Sequence, residues 1–529
     1  MERGGDVPAI VPVPEKEGHI GAWSHDGLNI TGDTVITANY TSLASYPLWA
    51  KSVLFTGDAI CAASDNAGWA GRIGEKYNMT YVNAGVSGAS VSTVRTSRIV
   101  DQLKNNKAND FDFVILHGGT NDAWSEAPIG EITDSYALSA FDADTFAGGL
   151  EELFYYAKLY YGDAKFGYII NFRFSSSNPN GYLADMTEYV EMTKAICEKW
   201  DIPYLDLYNN EELNAALNAD SLDNFSDKTY SVHPNAAGYE IITPYIEAWM
   251  NDVVATHEAT AIPVANNVEK WNITLRDNIG ANFYVTAADA EQTTVKVTIA
   301  GEENTFALSN KNDDGYYVIS VDTAAAQMTD EIQVEMIVNG EVVKTGTYSV
   351  YTYAQYILSG EYSAETKALV KEMLNYGAAA QNYFSYNTEN KIDETLIADA
   401  GASEIDGSNV ADMVIEGSAD GIHFYGASLV FDSKVAVRFY FTVEGDISNY
   451  TFSAGSEPVL KNGMYYVEIA DINPQDYDEA ITLTVNETLT ISYSPMNYIV
   501  RKGANGSDNL KALLKAMYNY YLAAEAYTA

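Results

Sequence analysis

The chain has 529 residues, 47% of them hydrophobic, and a formal net charge of -43 from 73 acidic and 30 basic side chains. That length is too great for one hydrophobic core and implies several domains, while the apolar and aromatic content excludes a disordered chain. The acidic surface excludes nucleic acid and anionic membranes as partners and reads as solubility of a secreted or surface protein. The six histidines are scattered, without zinc spacing, and no D-x-[DN]-x-[DN]-G calcium loop occurs, so no metal or other cofactor is expected. Cys61 and Cys197 each lie in an apolar segment and read as two free buried thiols. No stretch approaches the length of a membrane span, so no membrane insertion is expected.

Residues 1–45 do not read as a whole domain. A turn near Gly27 is followed by alternation that predicts a strand over 34–40. The segment 21–41 resembles the C-terminal half of the small β-repeats of internalin type in bacterial surface proteins. That resemblance implies a fragment of a longer secreted or cell-surface protein, lacking its signal peptide; residues 1–6 carry no apolar run of that kind.

Residues 46–255 alternate between strand and helix patterns. Short, nearly continuous apolar runs fall at 52–56, 80–83, 113–116, 167–171 and 204–207. Such runs suit strands buried on both faces of a parallel sheet. Helical patterns at 146–161 and 186–199 lie among them. Five strands with crossover helices predict a three-layer α/β/α sandwich, with ligands at the carboxyl ends of the strands.

Four motifs fall where such a sheet places chemistry. Gly57-Asp58-Ala59 comes directly after the first strand; Asp58 can cap a helix there, whose N-terminus would place residue 59 among free amides. A serine at 59 would be a nucleophile, whereas alanine has no atom to attack with. Gly88, after the second strand, can bring a backbone N–H close to a substrate oxygen. Gly119-Thr120-Asn121-Asp122 ends the third strand's turn, and the Asn121 amide can donate to an oxyanion without titrating. His233, in Tyr230-Ser231-Val232-His233, is the best-placed general base in the chain.

In order and topology these four blocks resemble the SGNH (GDSL-like) hydrolase superfamily, over roughly the span 46–255. The resemblance implies a flavodoxin-like SGNH domain with a five-stranded parallel sheet and a serine esterase mechanism. It implies position 59 as nucleophile, His233 as base, Gly88 and Asn121 as oxyanion hole, and Asp58 and Asp122 as supporting residues. Two positions depart: Ala59 stands where the family has serine, and Tyr230 where it has the acid that orients the histidine. Asp227 is the candidate replacement acid; a backbone carbonyl is the alternative. Losing the nucleophile alone costs about 10⁶-fold in turnover in the serine hydrolase where it has been measured, so the chain as written is expected to be inactive. Ala59 is either a substitution made to trap substrate or a natural loss.

From 256 the patterning changes to strand alternation and turns, with an internal repeat. Residues 279–284 echo 435–440, and the helix pattern at 367–376 echoes 511–520. Two related β-rich units, 256–387 and 421–529, each closed by a helix, are therefore expected, joined by an acidic linker at 388–420 with a short helix near 393–400. The tyrosine, methionine and leucine stripe of each closing helix reads as core facing that unit's own sheet. The whole chain reads as a secreted or surface carbohydrate O-acetyl esterase whose partner is an acetylated or otherwise esterified glycan. The competing reading is a pseudoenzyme that binds glycan or acts as an adhesin.

Overall fold

The computed structural model describes residues 12–527 apart from 29, 31, 64–67, 175–184, 220, 227–231, 409 and 432–433. The chain forms two compact units, Met1–Val264 and Ala265–Ala529.

The first unit opens with an antiparallel pair, β1 (His19–Trp23) and β2 (Ala38–Ser42). The strand expected over 34–40 is thus confined to the end of that stretch and its continuation. The main sheet consists of β3 (Ser52–Phe55), β4 (Thr80–Asn83), β5 (Phe113–Gly118), β6 (Lys165–Ile170) and β7 (Tyr204–Asp206). Their order is β4-β3-β5-β6-β7, and every neighbouring pair is parallel. These are the five apolar runs of the sequence. The central strand β5 is buried at all six positions, which is why its apolar run is continuous rather than alternating.

The helices are α1 (Trp69–Lys76), α2 (Ile99–Asn106), α3 (Thr120–Trp124), α4 (Phe146–Tyr160), α5 (Thr187–Trp200), α6 (Glu211–Ala219), α7 (Ser221–Asn224) and α8 (Ala236–Asp252). Helices α1 and α8 pack together, as do α2 with α4 and α4 with α5. The result is the expected α/β/α sandwich with flavodoxin-like strand order. Its core runs through the sheet, from Val53, Leu54 and Phe55 to Ile169 and Ile170. The Asp112 carboxylate fixes the start of the sheet: it accepts from the Ser52 amide at 2.8 Å and the Ser52 hydroxyl at 2.9 Å, which aligns β3 beside β5.

The second unit is built from antiparallel sheets in both repeats. The echoed segments form the strands Gly280–Thr286 and Ala436–Val443, each hydrogen-bonded on both sides. Each repeat closes with two helices rather than one: Val350–Ser359 with Ala364–Phe384, and Pro495–Asn505 with Asp508–Ala526. The cause is capping chemistry. Ser349, Ser363, Ser494 and Ser507 each accept a backbone N–H at a helix start, and Gly360 and Gly506 end the shorter helices.

The long helices pack on one another, with the Tyr376 and Tyr520 rings stacked at 6.0 Å. One continuous hydrophobic core spans both repeats. The segment between the repeats is pinned along its length. Ile392 is buried and its amide donates to Gln381 at 3.1 Å; Gly401 donates to Glu372; Ser403 exchanges two 2.9 Å bonds with Asn519. Its helical part is a 3-10 turn at Glu394–Ile397.

A shared core makes a mutational prediction. Met517 is fully buried in the last helix, and Met517→Ala should cost about 2–5 kcal/mol. Hydrogen exchange should then show strands 280–286 and 436–443 losing protection together. Loss confined to 436–443 would mean that the repeats are energetically separate.

Candidate active site

The turn after β3 carries the first motif. Gly57 is clamped by Gln102 of α2: its amide donates to Gln102 Oε1 at 2.8 Å and its carbonyl accepts from Gln102 Nε2 at 2.8 Å. The buried Asp58 accepts from the Ile60 amide at 2.9 Å, while its own carbonyl accepts from Ala62. Asp58 therefore caps a single turn, not the helix expected after it. Helix α1 starts only at Trp69, so the amides around Ala59 belong to a tight turn without a helix behind them. The Tyr239 hydroxyl of α8 donates to the Ile60 carbonyl at 2.9 Å. Burial, with the Asp58 carboxylate nearby, pushes the Tyr239 hydroxyl up, so it stays protonated as a donor.

Two further loops converge on this turn. Gly88 has φ +81° and Gly119 φ +97°, conformations that a side chain would strain. Gly119 precedes α3, whose second residue is Asn121. The Asn121 amide donates one N–H to the Ala89 carbonyl at 2.9 Å, which holds it beside Gly88 and leaves its second N–H for a ligand. Asp122 is fully buried. It accepts from the Val91 and Ser92 amides, both at 2.8 Å, and from the Ser92 hydroxyl at 2.6 Å. Burial raises its carboxyl against the pull of these donors.

His233 is exposed, on the loop before α8. The loop's base is closed: the His233 carbonyl accepts from the Ser226 amide at 2.9 Å, and the Asn235 amide donates to Asn224 at 3.0 Å. Asn235 then caps α8. Arg72 of α1 donates to the Ala236 carbonyl at 3.1 Å, so the start of α8 is tied to the opposite side of the site. Asp227 and Tyr230 lie outside the described residues.

Ala59, Gly88, Asn121 and His233 line one cavity of about 250 Å³, together with Asp58, Ile60, Ser87, Arg95, Thr120, Trp124 and Val232. Asp122 stands behind it as a brace. The three loops and the histidine, distant in sequence, thus meet at the carboxyl ends of the strands, as an open α/β sheet requires. Over residues 49–241 the sequence matches the model of the GDSL-like Lipase/Acylhydrolase family. Residues 49–241 are a GDSL-like lipase/acylhydrolase domain.

No curated protein matches the chain. Among solved structures, the GDSL-like domain is similar to a protein from Lactobacillus plantarum, at 20% identity and a TM-score of 0.34, covering 39% of this chain and 98% of that one. It is also similar to a protein described as a GDSL-like lipase from Bacteroides ovatus, at 18% identity and a TM-score of 0.28, covering 38% and 97%. A catalytic mutant of the acetylxylan esterase Axe2 from Geobacillus stearothermophilus matches at 18% identity and a TM-score of 0.27, covering 37% and 93%.

Several residues that shape the site escape sequence reasoning. Gln102 and Tyr239 act through single hydrogen bonds from distant helices and leave no pattern. His117 does leave one, as a polar side chain ending the apolar run of β5. It is buried, with Nδ1 3.5 Å from Asp58 Oδ1. Cys61 lies two residues after Ala59 but offers no substitute nucleophile. It is fully buried, and burial, then the Asp58 charge, push its thiol well above the usual range. Cys197 is likewise free and buried, as its apolar segment implies.

The Asp122 bonds can be tested directly. Asp122→Asn keeps the shape but turns an amide group toward N–H donors, leaving buried groups unsatisfied. The GDSL-like domain should lose about 1–3 kcal/mol, read as a lower urea midpoint of its unfolding transition. An unchanged midpoint would show that the two loops hold themselves.

Proposed function

We propose that this chain carries the site of a carbohydrate O-acetyl esterase, halted before its first covalent step by Ala59. The observation that carries the reading is the single cavity shared by Ala59, Gly88, Asn121 and His233. With a serine at 59, His233 takes the hydroxyl proton as the oxygen attacks the ester carbonyl. The oxyanion rests on the amides of residues 59 and 88 and on Asn121 Nδ2. His233 then protonates the departing sugar oxygen. Water, deprotonated by His233, attacks the acyl-enzyme and releases the acid.

The small-acyl, sugar-side assignment rests on the cavity's size and lining. About 250 Å³ falls below the roughly 300–1,000 Å³ of drug-sized ligand sites. Arg95, Ser87, Thr120 and Asn121 supply polar walls, and Trp124 supplies an aromatic face. A long acyl chain would call for a longer apolar slot. An acetylated glycan is the partner this lining suits, and a secreted or surface-attached protein is the setting in which such a polymer is met. The second reading, a glycan-binding surface protein without turnover, is favoured by Ala59 itself: the missing oxygen leaves the backbone donors in place.

One substitution separates them. Ala59→Ser should turn over 4-nitrophenyl acetate, while the chain as it stands stays at background and His233→Ala in the Ala59→Ser protein returns it there. A folded Ala59→Ser protein without turnover would reject the esterase reading in favour of binding alone.

Asp227 is proposed to orient His233. In the Ala59→Ser protein, Asp227→Asn should then lower kcat by orders of magnitude. A change below about threefold, equivalent to ~0.65 kcal/mol, would leave a dyad oriented by a backbone carbonyl.

A further inference from the structure

Arg95 is a cation on the wall of the catalytic cavity, in a chain of net charge -43. Its Nε donates to the Ser125 hydroxyl at 3.1 Å, and that partner is neutral. Among the described residues no carboxylate lies within ion-pair distance of it. By contrast Arg98, three residues on, is paired with Glu152 at 2.6 Å. The Ser125 bond steadies the guanidinium and leaves both terminal nitrogens for a ligand; Nη1 stands 3.8 Å from where a Cβ on Gly88 would be. Trp124, beside Ser125 and one helical turn after Asn121, lines the same cavity.

We propose that Arg95 determines the specificity of this site and that the ester it takes is carried on an acidic sugar, one whose ring bears a carboxylate. This rests on the esterase reading above. The guanidinium fork matches a carboxylate through two parallel bonds, and Trp124 offers the sugar ring an apolar face. The overall negative charge does not cancel this contact. Charges beyond about 8 Å are largely screened at physiological ionic strength, whereas an unpaired guanidinium at contact distance is not.

The chain as it stands can be tested, because Ala59 permits binding without turnover. Calorimetric titration with acetylated oligogalacturonate and with acetylated xylo-oligosaccharide should show the acidic ligand bound roughly tenfold tighter or more, as one charge-assisted contact supplies. Arg95→Gln should abolish that preference, and Arg95→Lys should restore only part of it. Equal affinities, a preference surviving in a folded Arg95→Gln protein, or binding of neither ligand would each overturn the proposal. So would a second result: in the Ala59→Ser protein, Arg95→Gln lowering kcat/KM equally on acidic and neutral acetyl esters. That would place Arg95 at the oxyanion instead. Failure of the esterase reading is seen separately, as absent turnover of 4-nitrophenyl acetate by Ala59→Ser with Arg95 intact.

Discussion

A buried carboxylate sets the spacing of the loops that line the candidate site. Asp122 accepts three hydrogen bonds from Val91 and Ser92 while sitting in the first turn of α3. That bridge fixes the loop after β4 against the loop after β5, with two consequences. Asn121 reaches the Ala89 carbonyl, and Gly88 lines the same cavity. Desolvating a carboxylate costs several kcal/mol, and three charge-assisted bonds at about 1.5–3 kcal/mol each offset it. The balance is close to even. The value of Asp122 is therefore geometric: it selects one arrangement of two glycine-containing loops that would otherwise have many.

The histidine side of the cavity is held by a different device. His233 comes from the far end of the domain, and among the described residues no sheet bond ties its loop to β3. The tie is made by α8, through Tyr239 to the Ile60 carbonyl and through Ala236 to Arg72. The first contact reaches the residue next to Ala59 and the second reaches α1. The position of His233 relative to Ala59 thus depends on the packing of α8 against α1 as well as on the loop itself.

The five strands are legible in the sequence because burial on both faces writes a continuous apolar run. The candidate site is legible because Gly57, Gly88 and Asn121 follow strand ends and His233 precedes the domain's last helix. The residues that escape notice do so because of how hydrogen bonds are encoded. Gln102, Tyr239 and Arg95 each matter through one or two atoms, and a single polar residue on a helix looks like any other. The helix expected after Asp58 does not form, because an Asx turn satisfies the same amides as a helix cap. A capping signal alone therefore does not determine whether a helix or a lone turn comes next. In the second unit the repeat is visible from Lys367 and Lys511 onward. The pairing of helices is less so, although Ser349 and Ser494 mark their starts. The segment 388–420 looks like a tether in sequence because its anchors are backbone groups meeting Gln381, Glu372 and Asn519.

A buried polar group underlies the turn that carries Ala59. Beneath Ala59, Asp58 Oδ2 and His117 Nδ1 have no hydrogen-bond partner among the described residues, although both side chains are 1% exposed. Thr56 Oγ1, just before them, is in the same state. His117 Nδ1 stands 3.5 Å from Asp58 Oδ1, so the two side chains face each other as a buried polar pair. The turn's backbone is held at Gly57 by Gln102 and at Ile60 by Tyr239, through bonds that involve no atom of the side chain at 59.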